Sequence, residues 1–326
     1  MKRLKLSVAL NGSKWGKGPS VLAPNGVPDL PCSVEEALQD TAVCYRLGAR
    51  QFHVHSRAPG DLHVADAAWY RKFTSSFRQQ FPDASLCLAT SRSGEVINQI
   101  SHRESILRQS GCVDECKLLA EAEKIRLACI EPETPFLPDY VTGFTATEVR
   151  MFDEDTDIGH VSSAQSPAVT HMFYDELTKQ LHSLNIGQEI EITTRDSMDI
   201  VEKIQAEQLI RTHVRLVLLP EFTPSLSGCS RYDMSELVLR ARRVIDKTGH
   251  EGDIVMGVIL RPGTPHLEDI RRDWIAFAVD NPLITALRIG LEDCPVLYEQ
   301  PATNESLTHS ACHLINEYGG EITPLA

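Results

Sequence analysis

The chain has 326 residues, 42% of them hydrophobic, so it can bury a sizeable core, and barrels of alternating strands and helices reach this length as one domain. Its formal charge of −13 at pH 7 argues against a nucleic-acid partner, which needs a basic face, but leaves room for local arginines to hold a small anion. No stretch approaches the roughly eighteen apolar residues of a membrane span, and the nine scattered cysteines, odd in number and without C-x-x-C spacing, read as reduced thiols. Met1 to Leu10 is too short for a signal peptide and no A-x-A site follows, so a cytoplasmic protein is expected.

The first predicted strand runs from Leu6 to Leu10 and ends in Asn11-Gly12-Ser13; a Gly/Pro-rich loop follows. Ser33-Val34-Glu35-Glu36 is a capping box that opens a helix whose Ala37, Ala42, Val43 and Leu47 recur at helical spacing up to Gly48. Gln51 to Arg57 is the second strand. A helix from Asp66 to Phe81 leads to the third, Ser85 to Thr90, closed by the turn Ser91-Arg92-Ser93-Gly94. Glu95 to Ile130 reads as helical. Tyr140 to Thr145 is the fourth strand, Ala168 to Leu184 a helix, and Glu189 to Thr193 the fifth strand, after which Asp196 is expected to cap a helix. The sixth strand, Val214 to Leu219, is read as apolar throughout, and Asp233-Met234-Ser235-Glu236 as the box that opens the next helix. Ile254 to Ile259, a helix over Glu268 to Val279, Thr285 to Ile289 and a closing helix over Asn304 to Tyr318 complete the pattern.

Eight short apolar strands alternating with helices, with no linker and no low-complexity segment, predict a parallel sheet closed as a single-domain (βα)8 barrel over residues 1–326. Active sites of such barrels lie at the carboxyl ends of the strands. The polar residues expected there are Asn11, His53, His55, Thr90, Ser91, Thr142, Glu191, Arg261, Arg288 and the pair Glu292-Asp293.

Two features carry chemistry. In Gln51-Phe52-His53-Val54-His55-Ser56-Arg57 the histidines are spaced i, i+2, so both imidazoles project from one face of a strand. A lone histidine is more often a hydrogen-bonded core residue, but a same-face pair can supply two ligands to one transition metal, with zinc the default. In Arg288-Ile289-Gly290-Leu291-Glu292-Asp293 the same alternation turns Arg288 and Glu292 inward. Two imidazoles and one carboxylate leave a coordination position open, as in a catalytic metal site. Glu189 and Glu191 share a strand face, and a carboxylate buried there needs a cation such as Arg288 or a substrate ammonium; a plain core salt bridge is about as good a reading. Asp153 to Asp157 opens like a calcium loop, but Ile158 stands where glycine is required and Ala164 at the twelfth position. His63, His102, His171 and His250 carry no pattern.

With these residues in hand, the chain resembles the β-keto acid cleavage enzymes, the family of the 3-keto-5-aminohexanoate cleavage enzyme. The resemblance spans nearly the whole length. Val8-Ala9-Leu10-Asn11-Gly12, Ser33 to Ala49, the H-x-H-x-R of His53, His55 and Arg57, Glu189-Ile190-Glu191, and the R-x-G-x-E-D from Arg288 to Asp293 carry it. It implies a zinc-bearing (βα)8 barrel that condenses a β-keto acid with acetyl-CoA, giving a CoA thioester such as acetoacetyl-CoA and a shortened acid, in a homo-oligomer (dimer or tetramer). His53, His55 and Glu292 would hold zinc. Arg288, Asp293 and Glu191 would be catalytic, Arg288 and Asp293 serving proton and acyl transfer. Asn11, Arg57, Thr90, Ser91 and Thr142 would line the substrate site. Ala89 stands where the family commonly has a serine for the keto acid carboxylate, and Lys14 where one member has a glutamate. That lysine should disfavour a substrate carrying an amine. The rivals are an amidohydrolase-like metal hydrolase, whose H-x-H belongs on the first strand with further histidines on strands five and six, and a metal-binding homologue without activity.

Overall fold

The computed structural model describes residues 1–12, 15–18, 25–57, 66–90, 128–130, 136–142, 167–193, 195–221, 228–260 and 262–323. Eight strands form the barrel: β1 Lys2–Ala9, β2 Gln51–Val54, β3 Ser85–Leu88, β4 Tyr140–Thr142, β5 Gly187–Ile192, β6 Val214–Leu218, β7 Gly252–Gly257 and β8 Ala286–Ile289. Each pairs in parallel with the next, and β1 also pairs with β8, which closes the sheet. The described helices are α1 Val34–Arg46, α2 Ala67–Gln80, α3 Pro167–Leu184, α4 Arg195–Ala206, α5 Arg231–Thr248, α6 Leu267–Asp280 and α7 Asn304–Glu317. No described helix is long and apolar enough to cross a membrane.

Local chemistry sets most of these boundaries. Ser33 caps α1 through the expected box with Glu36, and Val34, Ala37, Thr41 and Cys44 turn inward at helical spacing. Asp66 caps α2 by accepting from Ala68 and Trp69 backbone N–H groups, while Tyr70, Phe73 and Phe77 form its buried stripe. At two helix caps the structure differs from the sequence reading. The box of α5 is Ser230 with Asp233, three residues earlier than expected, because the short aspartate at the third helical position reaches back to the cap N–H. The helix α4 begins at Arg195, so Asp196 lies in its first turn, not at its cap. Most of the segment 95–130 read as helical, the aspartate run 153–157 and residues 143–145 of the fourth strand lie outside the described residues.

A short strand that sequence reasoning did not anticipate, β11 Gly320–Ile322, pairs in parallel with Lys2–Leu4. It explains why β1 starts four residues before the predicted Leu6: its first turn of pleat finds partners there. A hairpin, β9 Val296–Leu297 with β10 Gln300–Pro301, follows β8.

The strands are buried on both faces, and the two faces differ. Outward, Phe52 meets Phe77 of α2 edge-on at 5.7 Å, and the aliphatic mass lies between wall and helices. Full burial of each such side chain contributes about 1.5–3 kcal/mol. Inward, the barrel is charged. Asp253 accepts from Lys5 Nζ at 2.8 Å, Gln51 Nε2 at 3.1 Å and Thr285 Oγ1 at 2.9 Å. The sixth strand, read as apolar throughout, in fact carries Arg215 into this interior with 1% exposure. The polar interior puts ionisable groups beneath the carboxyl ends of the strands, where a site can use them.

At the junction of α1, α7 and the barrel, buried Asn304 donates through Nδ2 to Leu10 O and to Asp40 Oδ2, each at 2.7 Å, and accepts from Leu291 N at 2.9 Å. Burial pushes the Asp40 carboxyl up from 3.8 to about 6, against the hydrogen bond from Asn304 and with the neighbouring charges of Asp29, Glu36 and Glu305. A carboxyl whose pKa is higher folded than unfolded binds its proton preferentially in the folded state. Its contribution is therefore fully present below pH 3.8 and is lost as pH rises through about 6. Asp40→Asn, which keeps the acceptor for Asn304, is expected to raise stability at pH 7 by about 1 kcal/mol, a value discounted for the partial exposure of the group. Urea unfolding at pH 4 and pH 7 checks it: the gain should be present at pH 7 and absent at pH 4.

Candidate metal centre

Three strands that are neighbours only because the barrel closes bring the centre together. The strand β2 delivers His53, and His55 follows one residue past its end. The strand β8 stops at Ile289. Gly290, with φ 141°, then lets the chain fold against β1: a Cβ there would lie 2.1 Å from the Ala9 carbonyl oxygen. Glu292 thus enters from a turn beyond the strand, not by the strand alternation expected of it, yet still points inward.

His53 Nε2 lies 3.2 Å from His55 Nε2, His55 Nε2 lies 3.1 Å from Glu292 Oε1, and His53 Nε2 lies 3.3 Å from Glu292 Oε2. All three side chains are buried. Ligand atoms about 2.0–2.1 Å from a tetrahedral zinc stand about 3.3 Å from one another, so this triangle has the edge lengths of three metal ligands. Glu292 Oε2 makes no hydrogen bond despite its burial, which is a costly arrangement unless a cation meets it. The donor set, two imidazole nitrogens and one carboxylate, suits zinc and its first-row neighbours and leaves one position open.

Behind the triangle, His53 Nδ1 meets Glu189 Oε1 at 2.7 Å, which fixes the ring with Nδ1–H donating and Nε2 facing the centre. Glu189 in turn accepts from Arg215 Nη1 at 2.9 Å, and the Arg215 guanidinium also reaches Ser85 Oγ at 3.2 Å and lies 4.0 Å above the Tyr140 ring. On the other side, Arg288 grips Asp293 with two nitrogens at 3.1 and 3.3 Å, Glu191 at 2.7 Å and Glu292 at 3.3 Å. Burial alone would raise the Glu189 carboxyl, yet His53, Arg215 and Arg288 hold it far below the usual range. Burial likewise opposes Glu292, but His55, Arg288 and His53 keep it well below. Asp293, Glu292, Glu191 and Glu189 outweigh burial at Arg288 and lift its pKa well above the ordinary arginine value. For His53, burial is overridden by Glu292 and Glu189, and the pKa is raised; for His55 burial wins, and it is lowered. Cys87, near His53 and Glu189, has its thiol pushed well up by burial and by the Glu189 charge, so it is not a ready thiolate ligand. Four carboxylates, Glu189, Glu191, Glu292 and Asp293, thus face two guanidiniums, Arg215 and Arg288. With neutral imidazoles the cluster is left two negative charges in excess, which a divalent cation would balance.

The remaining expected residues fall into three groups. Thr90 and Thr142, expected to touch substrate, are buried just past β3 and at the end of β4, with Ala89 just before Thr90. Asn11 and Arg57, expected to touch substrate, are engaged by main chain. Asn11 Oδ1 accepts from His55 N at 2.8 Å, and its Nδ2 donates to Pro31 O at 2.8 Å and His55 O at 3.1 Å, so His55 is bracketed at both backbone groups. Arg57 donates to the carbonyls of Gly12 and Trp15. Ser91, Lys14 and Arg261 lie outside the described residues. Sequence reasoning missed Glu189 as the partner of His53, Arg215, Trp15, and Tyr70, whose hydroxyl donates to Ala89 O at 2.7 Å and accepts from Ser56 N at 3.1 Å. A lone arginine inside an otherwise apolar strand was the available signal for Arg215.

The sequence profile of one family, the beta-keto acid cleavage enzymes, matches residues 4–266. The chain belongs to that family. The matched span includes His53, His55, Glu189 and Arg215, and it ends before Arg288 and Glu292, which the geometry alone joins to them. No curated protein matches the chain. Among solved structures it is similar to ObcA in a binary complex with oxaloacetate, with TM-score 0.64 and 14% identity over 92% of this chain and 66% of that one. It is similar to ObcA in a ternary complex with a C4-CoA adduct and oxalate, with TM-score 0.63 and 14% identity over 91% and 66%. Against apo ObcA the TM-score is 0.60 and the identity 15%, over 91% and 64%. The likeness shows a shared barrel fold, and this family member spans just under two thirds of the length of those chains.

Proposed function

We propose that this family member is a zinc enzyme that condenses a β-keto acid with acetyl-CoA, yielding a new CoA thioester and a shorter acid, and that it works as a cytoplasmic homo-oligomer. The observation that carries the reading is the triangle of His53, His55 and Glu292 at metal-ligand spacing beside a guanidinium–carboxylate pair, within a chain of the beta-keto acid cleavage family. The complexes of ObcA with oxaloacetate and with a C4-CoA adduct and oxalate support the same substrate classes here.

His53, His55 and Glu292 would hold the metal, which when bound supplies a Lewis acid to polarise the keto oxygen. The chain's own residues do the rest. Glu189 keeps the proton of His53 on Nδ1, so Nε2 presents its lone pair to the centre. Asp293, which accepts two hydrogen bonds from the Arg288 fork, would take a proton from the carbon beside the ketone. Arg288, permanently charged and buried, stabilises the negative charge that grows on oxygen as that proton leaves. Glu191, partly exposed and paired with Arg288, and Thr142 line the approach.

The test is a mass-spectrometric assay of CoA-thioester formation over a panel of β-keto acids, with elemental analysis of protein purified without added metal. About one zinc per chain is expected, with thioester formation abolished by chelation and restored by zinc, and with an amino-substituted acid not the preferred substrate. Hydrolysis that needs no CoA would favour the amidohydrolase reading. Full activity in a metal-free chain would overturn the metal role.

A further inference from the structure

We propose that Arg57 is a positioning residue of the metal centre: its guanidinium ties down the loop that follows β1, and that loop holds Glu292 in place. The inference rests on the metal-dependent reading above. Three contacts carry it. Arg57, 5% exposed, donates from one terminal nitrogen to the carbonyl of Gly12 and from the other to the carbonyl of Trp15. Trp15, itself buried, donates its indole N–H to the main-chain carbonyl of Glu292 at 3.0 Å. Gly12 lies so close to the Glu292 side chain that an added Cβ would stand 2.6 Å from its Cγ.

The loop therefore touches Glu292 at two points, one on the backbone and one along the side chain. Both points are anchored by the same guanidinium. Arg57 sits two residues after His55, so the segment that carries both imidazoles also carries the clamp for the third ligand. A planar fork suits this task, because two carbonyls at fixed separation can each receive a hydrogen from a different nitrogen. An arginine that served the substrate carboxylate would instead present its fork to the cleft. Ligand triangles lose affinity when the groups that orient them are removed, typically 10- to 100-fold.

Cobalt(II) titration of the metal-depleted full chain, followed by visible absorption and without keto acid or CoA, separates the two roles. Arg57→Met is expected to weaken cobalt binding about 10- to 100-fold, and at saturating metal to leave the Michaelis constant for the β-keto acid unchanged. Arg57→Lys, which can reach only one of the two carbonyls, should recover part of the loss. Trp15→Phe removes the indole hydrogen bond while keeping most of the bulk, and should weaken binding several-fold; it decides the matter if Arg57→Met does not fold. Wild-type cobalt affinity in Arg57→Met, or in Trp15→Phe where Arg57→Met fails to fold, overturns the proposal. So does intact metal binding with a raised Michaelis constant in Arg57→Met, which would return this arginine to the substrate. A wild-type chain that binds no cobalt sinks the metal reading itself, and this inference with it.

Discussion

Replacing Arg288 by methionine is expected to lower turnover by about two to three orders of magnitude, the effect typical of removing one donor that stabilises a developing oxyanion. Metal content should not change, because Arg288 is no ligand and Glu292 keeps its contacts with both imidazoles. The size of the loss follows from where the guanidinium sits. It is 1% exposed, so no water replaces its charge, and it touches Glu191, Glu292 and Asp293 at once. Methionine fills the volume of the aliphatic stem and offers nothing to an oxygen. Glu292→Gln is the complementary change. A neutral amide is a poor ligand, so zinc occupancy should fall together with activity. Steady-state kinetics and elemental analysis on both variants separate chemistry from metal binding. A fully active Arg288→Met, or a Glu292→Gln that keeps zinc and activity, would show that the end of β8 is not the working part of the site.

Arg215→Met is expected to destabilise the fold by about 3–5 kcal/mol, because it leaves Glu189 without the guanidinium that hydrogen-bonds it, in a place where both partners are only 1% exposed. Replacing both members of such a pair by apolar side chains often restores stability. Arg215→Met with Glu189→Met should therefore recover most of the loss in guanidinium unfolding. It should not recover metal affinity, since His53 would then lack the carboxylate that fixes its ring. Equal destabilisation in the single and double variants would mean that Arg215 matters for its packing over Tyr140 and not for its charge.

The barrel was legible because its signals are local. Alternating apolar strands, the Ser33 box and the helical stripes can each be read within about fifteen residues, and short buried strands between helices have few other solutions. The His53–His55 spacing was legible for the same reason: the period of a strand is two. What escaped was the order of contacts inside the barrel. Glu189 and Glu191 are both inward on β5, and nothing in their sequence neighbourhood says that the first supports a histidine of β2 while the second meets Arg288 of β8. Asn11 and Arg57 look like ligand-binding residues in the sequence, but the folded main chain brings carbonyls to them. The start of α5 moved by three residues because Ser230 with Asp233 and Asp233 with Glu236 share the same capping spacing, and only the first pair closes the box.

The sequence by itself determined which residues could bind a metal and that the two histidines are spaced to share one face. The tertiary structure decided that they meet. His55 and Glu292 are separated by 237 residues, and they touch because β1 hydrogen-bonds to both β2 and β8. The turn at Gly290, tight against Ala9, then sets how far Glu292 reaches. Closure of a sheet is a property of all eight strands together, since each contributes only its share of tilt and stagger. No single segment of the chain encodes it, and the pairing of an imidazole from one end with a carboxylate from the other is its consequence.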